Sequence, residues 1–167
     1  MDPLDYVLLA LRVWLGIVML AHGIGHVRNL DGTASWFASV GFRAARAQAT
    51  ASGLGELAIG AGLILGLLTA PAAAGLIATM TIAFWSIHRF AGFFVYARPD
   101  EGYEYVATLA VVAAAVAILG PGAMSVDAVL GLDEAITPAL GSLIALVGVA
   151  LGAVQLALTW RRPDPGA

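Results

Sequence analysis

The side chains able to move protons or bind a ligand are few, and they sit inside apolar runs. They are His22 and His26 in AHGIGH, Glu56 in GELAIG, His88 in SIHRF, and Glu101, Tyr103 and Glu104 in EGYEY. At 100° per residue, Arg12, Met19, His22 and His26 fall within an arc of about 80° on one helical face. Counting along the apolar runs puts His22, Glu56 and His88 at comparable depth. His26, Arg89, Glu101, Tyr103 and Glu104 gather near the same boundary.

An ionisable group inside a bilayer costs several kcal/mol unless it is paired or faces a cavity, so each is a candidate for function. Three chemistries compete. Glu56 and Glu104 could neutralise Arg89 or a protonated histidine and only hold helices in register. His22, Glu56, His88, Tyr103 and Glu104, flanked by Trp85, Phe84 and Phe93, could hydrogen-bond a quinone or another lipid-soluble ligand and exchange its protons. A metal or haem could use His22 and His26, four apart on one face, with Glu56 and His88 completing the coordination. Arg12, deeper in its own run, needs a partner or a path outward, and Asp127 in SVDAVLG is the expected counter-ion of a structural ion pair.

The elements that must position these groups are membrane helices. Of 167 residues, 60% are hydrophobic and 11% charged, and the mean hydropathy is +0.91, far from the balance of a soluble domain. Five stretches have roughly the 20 apolar residues a span needs: near 5-27, 49-69, 72-96, 103-120 and 137-160. The second and third join tightly at Thr69-Ala70-Pro71, where proline at a helix start is tolerated. The segment 28-50 reads as a loop, and AMSVDAVLGLDEA, after Gly120-Pro121-Gly122, as a short interfacial helix or loop. Gly141, Ala145, Gly148 and Gly152 give the fifth span a small-residue face, suited to close packing within the bundle or to a homo-oligomer.

Charge sets further bounds. Without cysteine, thiolate metal sites, iron–sulfur clusters and disulfides are excluded. All eight basic residues are arginines, scattered within a chain of net charge -3, which leaves no stripe for nucleic acid. Arg28, Arg43, Arg46, Arg89, Arg98, Arg161 and Arg162 all fall on one side of the five spans, and the positive-inside rule makes that side cytoplasmic. The N-terminus is then outside, with Asp2, Asp5, Asp127, Asp133 and Glu134. MDPLDYVLLALRVW lacks the basic start of a cleaved signal peptide and reads as a retained span. Trp160-Arg161-Arg162 reads as an interfacial anchor before a short disordered tail, 163-167.

In order along the chain, LRVWLGIVMLAHG, GTASWFASVGF, GELAIGAGLILGLLTAPAA, HRFAGFF, EGYEYVATLA and GPGAMSVDAVLG resemble the DoxX family of small bacterial membrane proteins, from about Leu8 to Leu130. The resemblance implies an all-α, four-helix transmembrane bundle over 1-132, to which 133-162 adds a fifth helix. It places Arg12, His22, Glu56, Gly102, Tyr103, Glu104 and Asp127 at motif positions. His26 stands where many relatives carry lysine or another residue, so no family role passes to it. It further implies a bacterial inner-membrane setting and a link to quinone-dependent oxidoreductases, including the membrane part of thiosulfate:quinone oxidoreductase. The expected role is a membrane subunit of such a complex, whose partner subunits supply the remaining chemistry. The alternative is a noncatalytic accessory subunit that scaffolds a larger assembly.

Overall fold

A computed structural model describes residues 2–96 and 101–163. Arg98, counted above among the basic residues, and the tail from residue 164 onward lie outside them. The described residues are all-helical: α1 (Pro3–Arg28), α2 (Leu30–Ser39), α3 (Ala45–Leu65), α4 (Thr69–Ser86), α5 (Glu104–Leu119), the short α6 (Val126–Val129) and α7 (Pro138–Thr159), with single 3₁₀ turns at His88–Phe90 and Asp133–Ala135. Helices α1, α4 and α7 are long and apolar enough to cross a membrane. α5 is equally apolar but shorter, and α3 carries glycine, serine, threonine and Glu56 among its apolar residues.

Helix ends follow local chemistry. Asp2 caps α1 and Asp5 returns the bond to the Asp2 N–H, with Pro3 in the first turn. Asn29 ends α1 and its side chain accepts from the Gly32 N–H, which starts α2. This corrects the expectation of a loop over 28-50: the segment is too short to span, yet its apolar side, Phe37 above all, packs into a small core with Phe42, Ala49 and Leu156. The third span also ends sooner than expected, at Ser86 rather than near 96. The backbone of 92–94 instead pairs with 102–104, where Gly102, Tyr103 and Glu104 donate to Phe94, Gly92 and Phe93 at 3.1, 3.0 and 2.8 Å.

α1 lies along α3, α4 packs between α3 and α5, and α7 fills the groove over α4 and α5. Glycine sets the α1–α3 distance: a Cβ on Gly60 would sit 2.8 Å from the Gly16 carbonyl oxygen. In lipid, where helices gain nothing from burying apolar surface against each other, such close approach supplies the van der Waals contact that joins them. The glycine face of α7 is occupied in the same way, Gly148 against Ala74 and Gly152 against Ala78 of α4. Close packing inside the chain therefore uses the face that could have served self-association. The end of α7 is tied in as well. Trp160 donates its indole N–H to Val40 at 2.7 Å, Arg43 N–H reaches Thr159 at 2.7 Å, and Gln155 donates to Gln48 of α3 at 2.9 Å. Trp160 is thus a clasp between the end of α7 and the α2–α3 corner as well as an aromatic residue at a helix end.

Candidate functional site

Where α1 and α4 end and α5 begins, the bundle forms a partly open cavity of about 300 Å³. Its polar lining is His22 and His26 from α1, Glu56 from α3, His88 from the turn after α4, and Glu101 and Tyr105 at the start of α5. Met19, Met80, Val106 and Leu109 form its apolar floor. All three histidines of the chain meet in this one space.

Glu56 is its most deeply buried polar group, 4% exposed. Ser52, one turn earlier, donates to Oε1 at 2.8 Å. Oε2 lies 3.1 Å from His26 Nδ1, an ion pair when the imidazole is protonated, though the two atoms lack the alignment of a hydrogen bond. With the imidazole neutral, this contact leaves a buried carboxylate oxygen short of a well-aligned donor, at a cost of about 1–3 kcal/mol or more. The His26 ring is itself held edge-on against Phe37 of α2, centroids 6.1 Å apart.

The other two histidines are oriented by carbonyls. His22 Nδ1 is 2.9 Å from Val18 O, and His88 Nδ1 is 2.7 Å from Glu101 O. A backbone carbonyl only accepts, so in each neutral ring Nδ1 carries the proton and Nε2 the lone pair. Neither Nε2 has a partner among the described residues. Two imidazole lone pairs and a carboxylate oxygen make a lining of acceptors and bases, suited to a ligand that donates hydroxyl protons.

The DoxX family profile matches residues 7–89. This chain belongs to the DoxX family. No curated protein and no solved structure matches it. The match runs from α1 to the turn at His88–Phe90 and so contains His22, His26, Glu56 and His88 of the cavity.

The remaining expected site residues of this DoxX chain fall elsewhere. Tyr103 packs edge-on between Phe84 and Phe93, centroids 5.2 and 5.4 Å away. Glu104 accepts the Val95 N–H at 3.2 Å. Trp85 lies under the Arg89 guanidinium, 4.5 Å from its ring centre. These three build the corner between α4 and α5 rather than the cavity wall. Glu101, expected near this boundary, lines the cavity, while counting along the sequence missed Trp36 and Tyr105; the spacing of Tyr105, Val106 and Leu109 along one face of α5 was the available signal. Among the described residues, no three His, Asp or Glu side chains converge tightly enough to hold one metal ion, His22, His26, Glu56 and His88 included.

Arg12 and Asp127 also depart from expectation. Arg12 is 0% exposed, so it does not snorkel, and no carboxylate of the described residues lies within ion-pair distance. Its guanidinium donates to Leu63 O at 3.0 Å and Met124 O at 2.6 Å. Asp127, 5% exposed, accepts the Leu68 and Thr69 N–H groups at 2.7 and 2.8 Å. The expected ion pair is replaced by two backbone clasps on the turn between α3 and α4. The two buried charges at this turn are thus held by backbone groups, whereas the histidines gather at the cavity.

Proposed function

We propose that this DoxX chain is the membrane subunit of a quinone-linked oxidoreductase assembly, and that the histidine cavity holds the quinone headgroup. The supporting observation is the buried contact of Glu56 Oε2 with His26 Nδ1, 3.1 Å apart without hydrogen-bond alignment, in a pocket also lined by His22 and His88, whose Nδ1 atoms are taken by backbone carbonyls. A volume of about 300 Å³ lies at the small end of the range for ligand pockets, roughly 300–1,000 Å³, and suits a single ring whose tail remains in lipid. When bound in its reduced form, such a group supplies two electrons and two protons.

The chain's own part is proton handling and orientation. His22 and His88 accept hydroxyl hydrogen bonds at Nε2 while Val18 O and Glu101 O fix the rings through Nδ1. Glu56 Oε2, next to His26, takes a further proton or donor, and Ser52 keeps the carboxylate in place. Met19, Met80, Val106 and Leu109 keep the floor apolar. Among the described residues the connections between helices are short, so the electron donor or acceptor is a partner subunit. The site faces the cytoplasmic side of a bacterial inner membrane, with the N-terminus outside.

The test is quinone content. The chain extracted from its native membrane in mild detergent is expected to carry near-stoichiometric quinone, and Glu56→Gln and His22→Ala to lose most of it while partner subunits still co-purify. Equal quinone in all three samples, or none in the wild type, overturns the reading. Loss of the partners in both variants favours the accessory subunit instead, in which the His26–Glu56 contact only joins α1 to α3.

A further inference from the structure

A second recess, of about 340 Å³, opens between α4 and the end of α7, walled by Trp85, Trp160, Arg161 and Arg162 and floored by Ala153 and Leu156. It is separate from the histidine cavity and shares no lining residue with it. The charge beside it is unusual. The Arg162 guanidinium stands 4.3 Å from the centre of the Phe90 ring, and Arg89 stands 4.5 Å from that same ring and 4.5 Å from Trp85. Two like charges therefore share one phenyl ring. Among the described residues no carboxylate lies within ion-pair distance of either, whereas Arg46 on the same end has Asp31. Arg89 Nε is buried without a hydrogen-bond partner.

Cation–π contact offsets part of this repulsion, but it supplies no negative charge. Arg161 is already engaged, donating to the Ala157 and Trp160 carbonyls at the end of α7, so Arg89 and Arg162 remain to bind an anion. The wall is preformed, because the bond from Trp160 to Val40 fixes the indole. An arginine pair over aromatic rings, at the end of an apolar slot between two membrane helices, has the chemistry of a phospholipid site: guanidiniums for the phosphate, Ala153, Leu156 and Ala157 for the acyl chain.

We infer that the recess between α4 and α7 binds one anionic phospholipid, its headgroup phosphate held by Arg89 and Arg162. The bound lipid neutralises the paired guanidiniums and seals α7 against α4 at that membrane surface. The inference does not depend on what the histidine cavity holds.

The experiment uses the full chain in phosphatidylcholine nanodiscs containing a minority of phosphatidylglycerol, with retained lipid read by native mass spectrometry. The wild type is expected to keep one phosphatidylglycerol in preference to phosphatidylcholine. Arg162→Gln and Arg89→Gln should each weaken that preference roughly fivefold, as loss of one basic contact implies. Arg28→Gln, which removes a charge from the same end away from the recess, should leave it unchanged, and Arg162→Lys should retain most of it. Equal phosphatidylglycerol retention by wild type and both glutamine variants, or the same loss in Arg28→Gln, overturns the inference. Displacement of the bound lipid by millimolar inorganic phosphate also overturns it, and assigns the arginines to a soluble phosphate.

Discussion

Arg12 and Asp127 hold the same turn without touching each other. Arg12 bonds the Leu63 carbonyl in the last turn of α3, and Asp127 receives the Leu68 and Thr69 N–H groups that open α4. Each charge thus meets the helix end that favours it, the cation a C-terminus and the anion an N-terminus. Asp127 serves as an N-cap lent from 59 residues away in sequence. Leu68 needs it, having a left-handed backbone (φ 50°) and no side-chain cap of its own.

Asp127→Ala should therefore destabilise the bundle by about 3 kcal/mol, since one buried and one part-buried N–H group lose their acceptor. Leu68→Gly should stabilise it by about 0.5–1 kcal/mol by relieving the left-handed strain. Thermal unfolding in detergent, followed by circular dichroism, checks both; opposite signs for the two variants are the result expected.

Arg12→Lys should lose about 2–4 kcal/mol in the same assay, close to the loss in Arg12→Met. One ammonium cannot reproduce the fork that reaches both Leu63 O and Met124 O, so at least one of these two bonds is lost in either variant. A lysine variant as stable as wild type would show that charge alone is what the position needs.

Gly148→Leu should separate α7 from α4 and cost more than about 3 kcal/mol, because the added atoms meet the Ala74 backbone, which has no room to shift. Leu146→Ala, on the exposed side of α7, should change stability by less than about 0.5 kcal/mol. Protease resistance of the solubilised chain reports the difference.

His88→Gln should weaken ligand retention in the histidine cavity by about tenfold with little change in stability, as it removes one acceptor lone pair worth about 1.4 kcal/mol in binding. Tyr103→Phe, in the aromatic corner beside the cavity, should leave retention unchanged. Quinone analysis of the purified variants distinguishes the two.

A periplasmic reporter enzyme fused after Ala167 should be inactive, and the same reporter fused ahead of residue 1 active. The basis is the gathering of Arg28, Arg43, Arg46, Arg161 and Arg162 at one end of the helices. The reverse pattern would turn the cavity toward the outer surface.

The sequence alone determined that this is an all-helical membrane chain of the DoxX type, because apolar runs of bilayer length have no other stable form in lipid and their number and order survive any packing. It also placed His22, Glu56 and His88 at comparable depth, with His26 near the adjoining boundary, since rise per residue fixes depth along each helix. Depth is not direction, however. Only the tertiary structure decided that Tyr103, Glu104 and Trp85 turn to a corner while Glu101 and Tyr105 reach the cavity, because α4 stops at Ser86 and the chain folds back on Gly102. Likewise Arg12 and Asp127 read as opposite charges in need of each other. The fold gave them backbone partners instead, because helix ends buried in a bundle leave carbonyl and N–H groups that must be satisfied and that no sequence pattern displays.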